Sequence, residues 1–239
     1  MIKFRITAYI IAVSVVFTLM GCAKFPSTPP TSGRQLVITL KVRGTINTID
    51  QTDPSIRRHY FVAIDNDGDP NTGPQAAIYP PYGGNGWVTS EDAENSIGVT
   101  SYIQYDSANT GGSIYNILPG SFFLNTTIPQ PPIHTELLEG GSTLRFIVDF
   151  NQIATDAIPA DEIQQLDINF ITTNTLVVSN NPVLGREWAG LGPSGENYFT
   201  INTNDTRPYS GDNADGPPVN DPDLEIIYFE VQVQPVSSG

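Results

Sequence analysis

Cysteine, histidine and methionine are almost absent from this sequence, and each absence excludes a class of site. The single cysteine, Cys22, has no partner for an internal disulfide, so the core must hold the fold together. The two histidines, His59 and His134, lie outside any metal-protease helix motif, and no Gly-x-Ser-x-Gly elbow supplies a nucleophile. We expect His59 to be a surface or strand-end residue rather than a base. A non-catalytic protein is favoured, although a carboxylate pair for glycoside cleavage stays open among 25 acidic residues.

Basic residues are also scarce. The chain has 11 Lys and Arg against 25 Asp and Glu, a net charge of −14. Loss of Lys3 and Arg5 with an export signal would leave nine basic residues and a net charge of −16. Such a surface repels phosphate backbones and anionic headgroups, so the charge excludes a nucleic-acid partner. It suits divalent cations and neutral ligands, or it only keeps the protein soluble.

The chain begins with an apolar run at residues 6–19 that follows two basic residues. The run is too short to span a bilayer comfortably, and its flanks predict an export signal. The next letters, "LMGC" at residues 19–22, resemble the lipoprotein box of bacteria, although methionine is unusual at its position. That resemblance implies that Cys22 carries lipid such as palmitate and anchors the chain in the cell envelope. Ala23 then points to the outer membrane, if the organism has one; an ordinary signal peptide or an uncleaved anchor is the alternative.

The composition changes twice along the chain and predicts three parts. Residues 1–21 form the signal peptide, and residues 22–34, rich in Pro, Ser and Thr, form a flexible tether. Residues 35–235 are long enough for one sizeable core and are expected to form a single domain.

Period-two alternation recurs through this domain and predicts strands with one face buried. No window shows a long helical period, and 21 Gly and 20 Pro punctuate the gaps. We therefore predict an all-β fold, an antiparallel two-sheet β-sandwich of jelly-roll-like type. The clearest alternations assign these residues to the core: Leu36, Ile38, Leu40 and Val42; Tyr60, Val62 and Ile64; Leu144, Phe146, Val148 and Phe150; Ile227, Phe229, Val231 and Val233.

Four segments without alternation are predicted to be long loops. They cover residues 65–95, 127–141, 180–196 and 204–223. Loops of this length in a compact domain are usually functional or disordered, so we expect the binding residues there.

Three aspartates, Asp65, Asp67 and Asp69, alternate directly behind a predicted strand. With Asn71 and backbone carbonyls they offer the oxygen ligands that Ca²⁺ accepts, and Gly68 permits a tight reversal. The loop lacks the glycine and glutamate positions of an EF-hand. A series of Asx turns is the alternative. Because three carboxylates within five residues repel one another unless a cation neutralises them, we favour calcium.

Aromatic residues follow this loop among prolines and glycines. Tyr79, Tyr82 and Trp87 are predicted to present flat rings to a ligand such as a sugar, although they could also cap the core. Trp188 is a second candidate ring. Another acidic stretch is either a metal site or a solvated loop; its residues are Asp205, Asp212, Asp215, Asp221 and Asp223.

Short motifs in the domain resemble the DOMON and family-9 carbohydrate-binding-module group of β-sandwiches. They are "FVAIDND" at residues 61–67, "VDF" at 148–150 with Ile158-Pro159, and "INF" at 168–170. The resemblance implies a sandwich whose ends carry ligand and often calcium. The paired tryptophan clamp of the sugar-binding members is not evident, and the absence of methionine after residue 20 argues against the haem-binding members.

The leading hypothesis is a lipid-anchored, calcium-stabilised module that binds a glycan or another extracellular ligand. The alternative is a structural or accessory envelope lipoprotein that binds partner proteins. A hydrolase would need two carboxylates facing one cleft.

Overall fold

The computed structural model describes residues 32–68, 73–74, 98–116, 128–176, 187–194 and 197–236. All of them belong to one compact unit, Thr31–Gly239. The predicted signal peptide and Cys22 lie outside the described residues, as do most of the tether and Tyr79, Tyr82 and Trp87. Within the described ranges, no helix has the length and hydropathy that crossing a bilayer requires.

In the described part of the chain, eleven antiparallel strands form two sheets, which confirms the predicted all-β sandwich. One sheet has five strands in the order β10-β11-β1-β6-β5. The other has six: β4-β3-β2-β7-β8, with β9 also pairing with β7. The strands are β1 (Arg34–Val42), β2 (His59–Asp65), β3 (Ser101–Asp106), β4 (Asn109–Asn116), β5 (His134–Leu138), β6 (Thr143–Asp149), β7 (Gln165–Thr173), β8 (Trp188–Ala189), β9 (Phe199–Asn202), β10 (Tyr209–Asp212) and β11 (Ile226–Pro235).

The facing sides of the two sheets share one hydrophobic core. The rings of Tyr105 on β3 and Phe146 on β6 meet edge to face, with 6.3 Å between centroids. Phe170 on β7 and Phe229 on β11 lie 5.7 Å apart. The inward positions predicted for β1, β2 and β6 are all buried, because a two-residue period places alternate side chains on one face.

The prediction that only one face of each strand is buried is wrong for the central strands of the six-stranded sheet. Every residue of β2 and β3 is buried. On β2, Phe61 and Ala63 point away from the core that holds Tyr60 and Val62, yet both are fully covered. On the same outer side, Asn169 donates a hydrogen bond from Nδ2 to the carbonyl of Pro74 at 2.9 Å. Pro74, from the long segment behind β2, therefore lies against this face, which strand periodicity does not reveal.

A β-bulge in β11 changes which of its residues point into the core, so one predicted core position is wrong. Tyr228 pairs with Lys41, but the next pair is Ile226 with Val42, so Ile227 is an extra residue on β11. The bulge puts Ile226 into the core at 1% exposure and leaves Ile227, predicted to lie in the core, only partly buried. An inserted residue reverses the alternation beyond it, which explains the error.

Three strands lie inside segments predicted to be loops. They are β5, β8 and β10. β5 and β10 are the outermost strands of the five-stranded sheet, and β8 contains only two residues. Short edge strands are held mainly by pairing with a neighbour, so their sequences carry little alternation.

One turn of helix, α1 (Phe150–Ile153), follows β6 and is capped by Asp149. The Asp149 carboxylate accepts a hydrogen bond from the backbone of Asn151 at 2.9 Å, and Gln152 accepts one from the backbone of Asp149 at 3.0 Å. The same carboxylate accepts a bond at 3.0 Å from the backbone of Ser32, at the start of the described domain. Asp149 thus joins the beginning of the domain to the end of β6.

We expect Asp149→Ala to lower the free energy of unfolding by about 1–2 kcal/mol, because the backbone donors of Asn151 and Ser32 lose their acceptor. Urea denaturation followed by circular dichroism measures the change. Asp149→Asn keeps an acceptor oxygen and should retain most of the stability. Equal losses in the two variants would contradict the capping role.

Candidate functional site

Two buried carboxylates face each other where β2 ends and β7 begins. Asp65 and Asp167 are directly paired in the antiparallel register, so their side chains lie on the same face of the sheet. Each is only 2% exposed. Oδ1 of Asp65 accepts a hydrogen bond from the backbone of Asp67 at 3.1 Å. Oδ2 of Asp65 is buried and has no hydrogen-bond partner among the described residues.

The electrostatics of this pair are unfavourable for ionised carboxylates. Burial, reinforced by the negative charges of Asp67 and Asp167, raises the pKa of Asp65 to about 8. Burial also raises the pKa of Asp167, although hydrogen bonds from Thr200 and Gln165 partly oppose the change. Like charges placed directly opposite each other destabilise a sheet unless a proton or a cation neutralises them.

Asn66 holds the loop between the two predicted ligands Asp65 and Asp67. Its Nδ2 donates to the carbonyl of Ile153 on α1 at 2.7 Å, and its backbone N–H donates to Oγ1 of Thr100 at 3.1 Å. Asp67 itself is exposed. Gly68 has a φ of +76°, the left-handed conformation expected for the tight reversal.

The chemistry of these donors suits a hard cation, since an orphaned buried carboxylate oxygen lies beside two more carboxylates. Asp69 and Asn71, the other predicted ligands, lie outside the described residues. Among the residues that the structure describes, no group of three or more His, Cys, Asp or Glu side chains is arranged to hold a metal ion. The described part therefore supplies at most a portion of the shell. Asp167 was not predicted, because only the register of β2 with β7 brings it to Asp65.

Trp188, the one predicted ligand-binding ring that the structure describes, lies far from the aspartates. It pairs with Thr173 on β7, whereas Asp65 pairs with Asp167 on the same strand. Six residues of extended strand separate these two positions, a distance of about 20 Å. Trp188 is half-buried at that opposite end of the sheet and does not share a site with the aspartates.

His59 begins β2 but is not a surface residue. It is 8% exposed, and its Nδ1 lies 2.9 Å from Oδ2 of Asp106, which also accepts a bond from Nε2 of Gln104 at 2.6 Å. Burial alone would raise the pKa of Asp106, but the hydrogen bonds from His59, Gln104 and Asn109 outweigh it and lower the pKa. Of the two predicted alternatives, surface or strand-end residue, the structure confirms the strand-end position, and the side chain is buried.

Part of the second acidic stretch surrounds a buried arginine. The Arg58 guanidinium, whose side chain is 5% exposed, contacts Asp221 at 2.6 Å, Asp223 at 3.6 Å and Asp50. Asp223 also accepts a bond from the backbone of Thr45 at 2.8 Å. This arginine supplies positive charge beside Asp221 and Asp223, two carboxylates for which the sequence also allowed a metal role. Asp205 pairs with the exposed Arg207 in the same way at 2.5 Å.

In comparisons with known proteins, the chain matches no family model, no curated protein and no solved structure, so its resemblance to the DOMON and family-9 carbohydrate-binding-module group stays a prediction from short motifs.

Proposed function

We propose that this chain is a lipid-anchored, non-catalytic binding module of the cell envelope that Ca²⁺ stabilises and that binds a glycan or another extracellular ligand. One observation carries the calcium part: the buried Asp65 and Asp167 face each other, and one Asp65 oxygen has no hydrogen-bond partner among the described residues. A cation there would be held by Asp65 and Asp67, with Asp69 and Asn71 of the same loop completing the shell. The ion would neutralise the carboxylates and hold the loop in one conformation.

The ligand part rests on the order of the sequence. Tyr79, Tyr82 and Trp87 follow the acidic loop within 20 residues, so a loop held by calcium would present these rings to a ligand. The acidic charge of the chain favours neutral ligands over polyanions. Trp188, at the other end of the sheet, would act as a separate ring.

Thermal unfolding and oligosaccharide titration test the two parts. In calcium at about 100 times its Kd, we expect the melting temperature to rise by about 5–10 °C over the value in EDTA. Asp67→Ala should abolish the rise, and the exposed control Asp161→Ala should keep it. Trp87→Ala should weaken calorimetric binding of neutral oligosaccharides about tenfold. A melting temperature indifferent to calcium contradicts the metal site, and full binding by both Trp87→Ala and Tyr82→Ala contradicts the ligand site.

A second candidate function is that of an accessory envelope lipoprotein which binds partner proteins. The observation that favours it is the apolar edge around β5, where Leu137 is 44% and Ile133 is 49% exposed. Exposed apolar side chains beside an edge strand are typical of protein contacts. Co-purification of a membrane complex that Leu137→Lys releases would support this function, and an unchanged monomeric protein would count against it.

A further inference from the structure

The outer face of the five-stranded sheet carries a groove of about 460 Å³. Its volume is within the range of small-molecule sites. The groove is formed by side chains from four neighbouring strands and from the 3₁₀ turn between β5 and β6, so most of it stands on rigid elements. These side chains belong to Thr39, Lys41, Glu139, Thr143, Asp212 and Tyr228.

The strand register arranges four of these residues in one row. Asp212 on β10 pairs with Tyr228 on β11, Tyr228 pairs with Lys41 on β1, and Lys41 pairs with Thr143 on β6. Directly paired residues share a face, and neighbouring strands lie about 4.8 Å apart. Asp212 and Lys41 are therefore separated by about 10 Å, with the Tyr228 ring between them. The row places a hydrogen-bond acceptor, an aromatic ring and a donor side by side.

The bulge in β11 turns an apolar side chain toward this groove. Ile227 is the extra residue of the bulge, and it lines the groove next to Tyr228 instead of entering the core. Bulges often occur next to binding sites, where they redirect a side chain. The irregularity in β11 thus adds apolar surface beside the aromatic ring.

Glu139 forms one wall of the groove from an unusual backbone conformation. Its φ is +52°, and among the described residues it is the only one other than glycine with a positive φ. In this conformation its carboxylate lies 2.6 Å from Nζ of Lys41 and accepts a bond from Oγ1 of Thr143 at 3.2 Å. Residues other than glycine rarely adopt such a conformation, and those that do are concentrated at functional sites.

The polar groups of the groove fit a ligand that both donates and accepts hydrogen bonds. Lys41 has three N–H groups and Glu139 takes one, so donors remain for a ligand. The Asp212 carboxylate makes no hydrogen bond or ion pair with a described residue, and Asp212 is exposed, so this carboxylate can accept from a ligand. Two carboxylates against one ammonium group disfavour anions. The aromatic ring and Ile227 supply an apolar surface for the flat side of a small ring.

We propose that this groove binds a neutral sugar residue of a glycan. The sugar ring packs on Tyr228, its hydroxyl groups donate to Asp212 and Glu139, and a ring or hydroxyl oxygen accepts from Lys41. The ligand class rests on the proposed function, but the residues do not, since the side chains argued from here all belong to described strands and to the turn at Glu139.

Calorimetric titration of the full mature domain with cellohexaose, xylohexaose and maltohexaose tests the groove. Tyr228→Ala should raise the Kd for the recognised oligosaccharide at least about tenfold. The Kd of Tyr228→Phe should stay within about threefold of the unaltered protein's value, because the ring remains. Asp212→Asn should weaken binding about tenfold through loss of a charge-assisted acceptor. Gln234→Ala is the matched control, since Gln234 lies on the same strand and face about 20 Å from Tyr228. Polygalacturonate, an anionic polymer, should not bind.

Trp87→Ala separates the groove from the proposed loop site. Loss of binding in Tyr228→Ala and Asp212→Asn, with full binding in Gln234→Ala, supports the groove whatever Trp87→Ala does. Full binding in Tyr228→Ala and Asp212→Asn together with loss in Trp87→Ala overturns the groove and leaves the loop site standing. Failure of the unaltered protein to bind any of the three oligosaccharides overturns the groove and the glycan part of the proposed function together. Asp212→Asn, on an exposed strand position, decides the matter if Tyr228→Ala does not fold.

Discussion

Replacing Arg58 with methionine should lower the free energy of unfolding by about 3–5 kcal/mol. The guanidinium is buried and contacts Asp50, Asp221 and Asp223, so its removal leaves three carboxylates without their cation. It also joins two distant parts of the chain, because Asp50 lies before β2 and the other two lie before β11. Urea denaturation with linear extrapolation measures the loss.

Arg207→Met is the matched control for this prediction. Arg207 also pairs with an aspartate, Asp205, but its side chain is 84% exposed, so we expect no measurable loss. Asp221→Asn, which keeps the shape of the partner and removes one charge, should give a smaller loss than Arg58→Met. Equal stability of Arg58→Met and Arg207→Met would show that the buried ion pairs are not needed for the fold.

Replacing Asp65 with asparagine should have opposite effects with and without calcium. Without metal, the raised pKa means that the folded protein binds a proton more tightly than the unfolded chain between about pH 4 and pH 8. Stability is therefore full below the ordinary carboxyl pKa and falls as the pH rises through about 8. In EDTA at about pH 9, Asp65→Asn should be more stable than the unaltered protein by about 2–5 kcal/mol, and the difference should vanish near pH 4.

In calcium the order should reverse. The unaltered protein gains stability from the ion by mass action, whereas Asp65→Asn has lost a charged ligand and gains little. Asp161→Asn, at an exposed position, should behave like the unaltered protein in both buffers. Chemical denaturation at pH values from about 4 to 9 makes the comparison. A variant less stable than the unaltered protein in EDTA at high pH would mean that the Asp65 carboxylate already has a compensating partner.

The strands of the core were predictable where alternation is regular and the strand lies inside a sheet. In β1, Leu36, Ile38, Leu40 and Val42 alternate in sequence and are all buried in the structure. β11 shows the limit of the method, because one bulged residue exchanges the places of Ile226 and Ile227. Periodicity counts residues, and it fails where the ladder has two residues opposite one.

The candidate site was predictable only in its local part. Asp65 and Asp67 are two residues apart in one motif, so the sequence shows that they are close. Asp167 stands a hundred residues later and becomes their neighbour through the pairing of β2 with β7. The row of Asp212, Tyr228 and Lys41 likewise joins three strands that are distant in the chain.

The all-β class, the acidic charge and the crowding of aspartates behind β2 were predictable, because composition is a count of residues and short-range periodicity depends only on neighbouring residues. Only the folded structure shows that Asp65 faces Asp167, that Arg58 pairs with Asp221 and Asp223, and that Trp188 lies at the far end of its sheet. These outcomes depend on strand order and register. Both are set by how residues far apart in the chain pack and pair, and no local pattern carries that information.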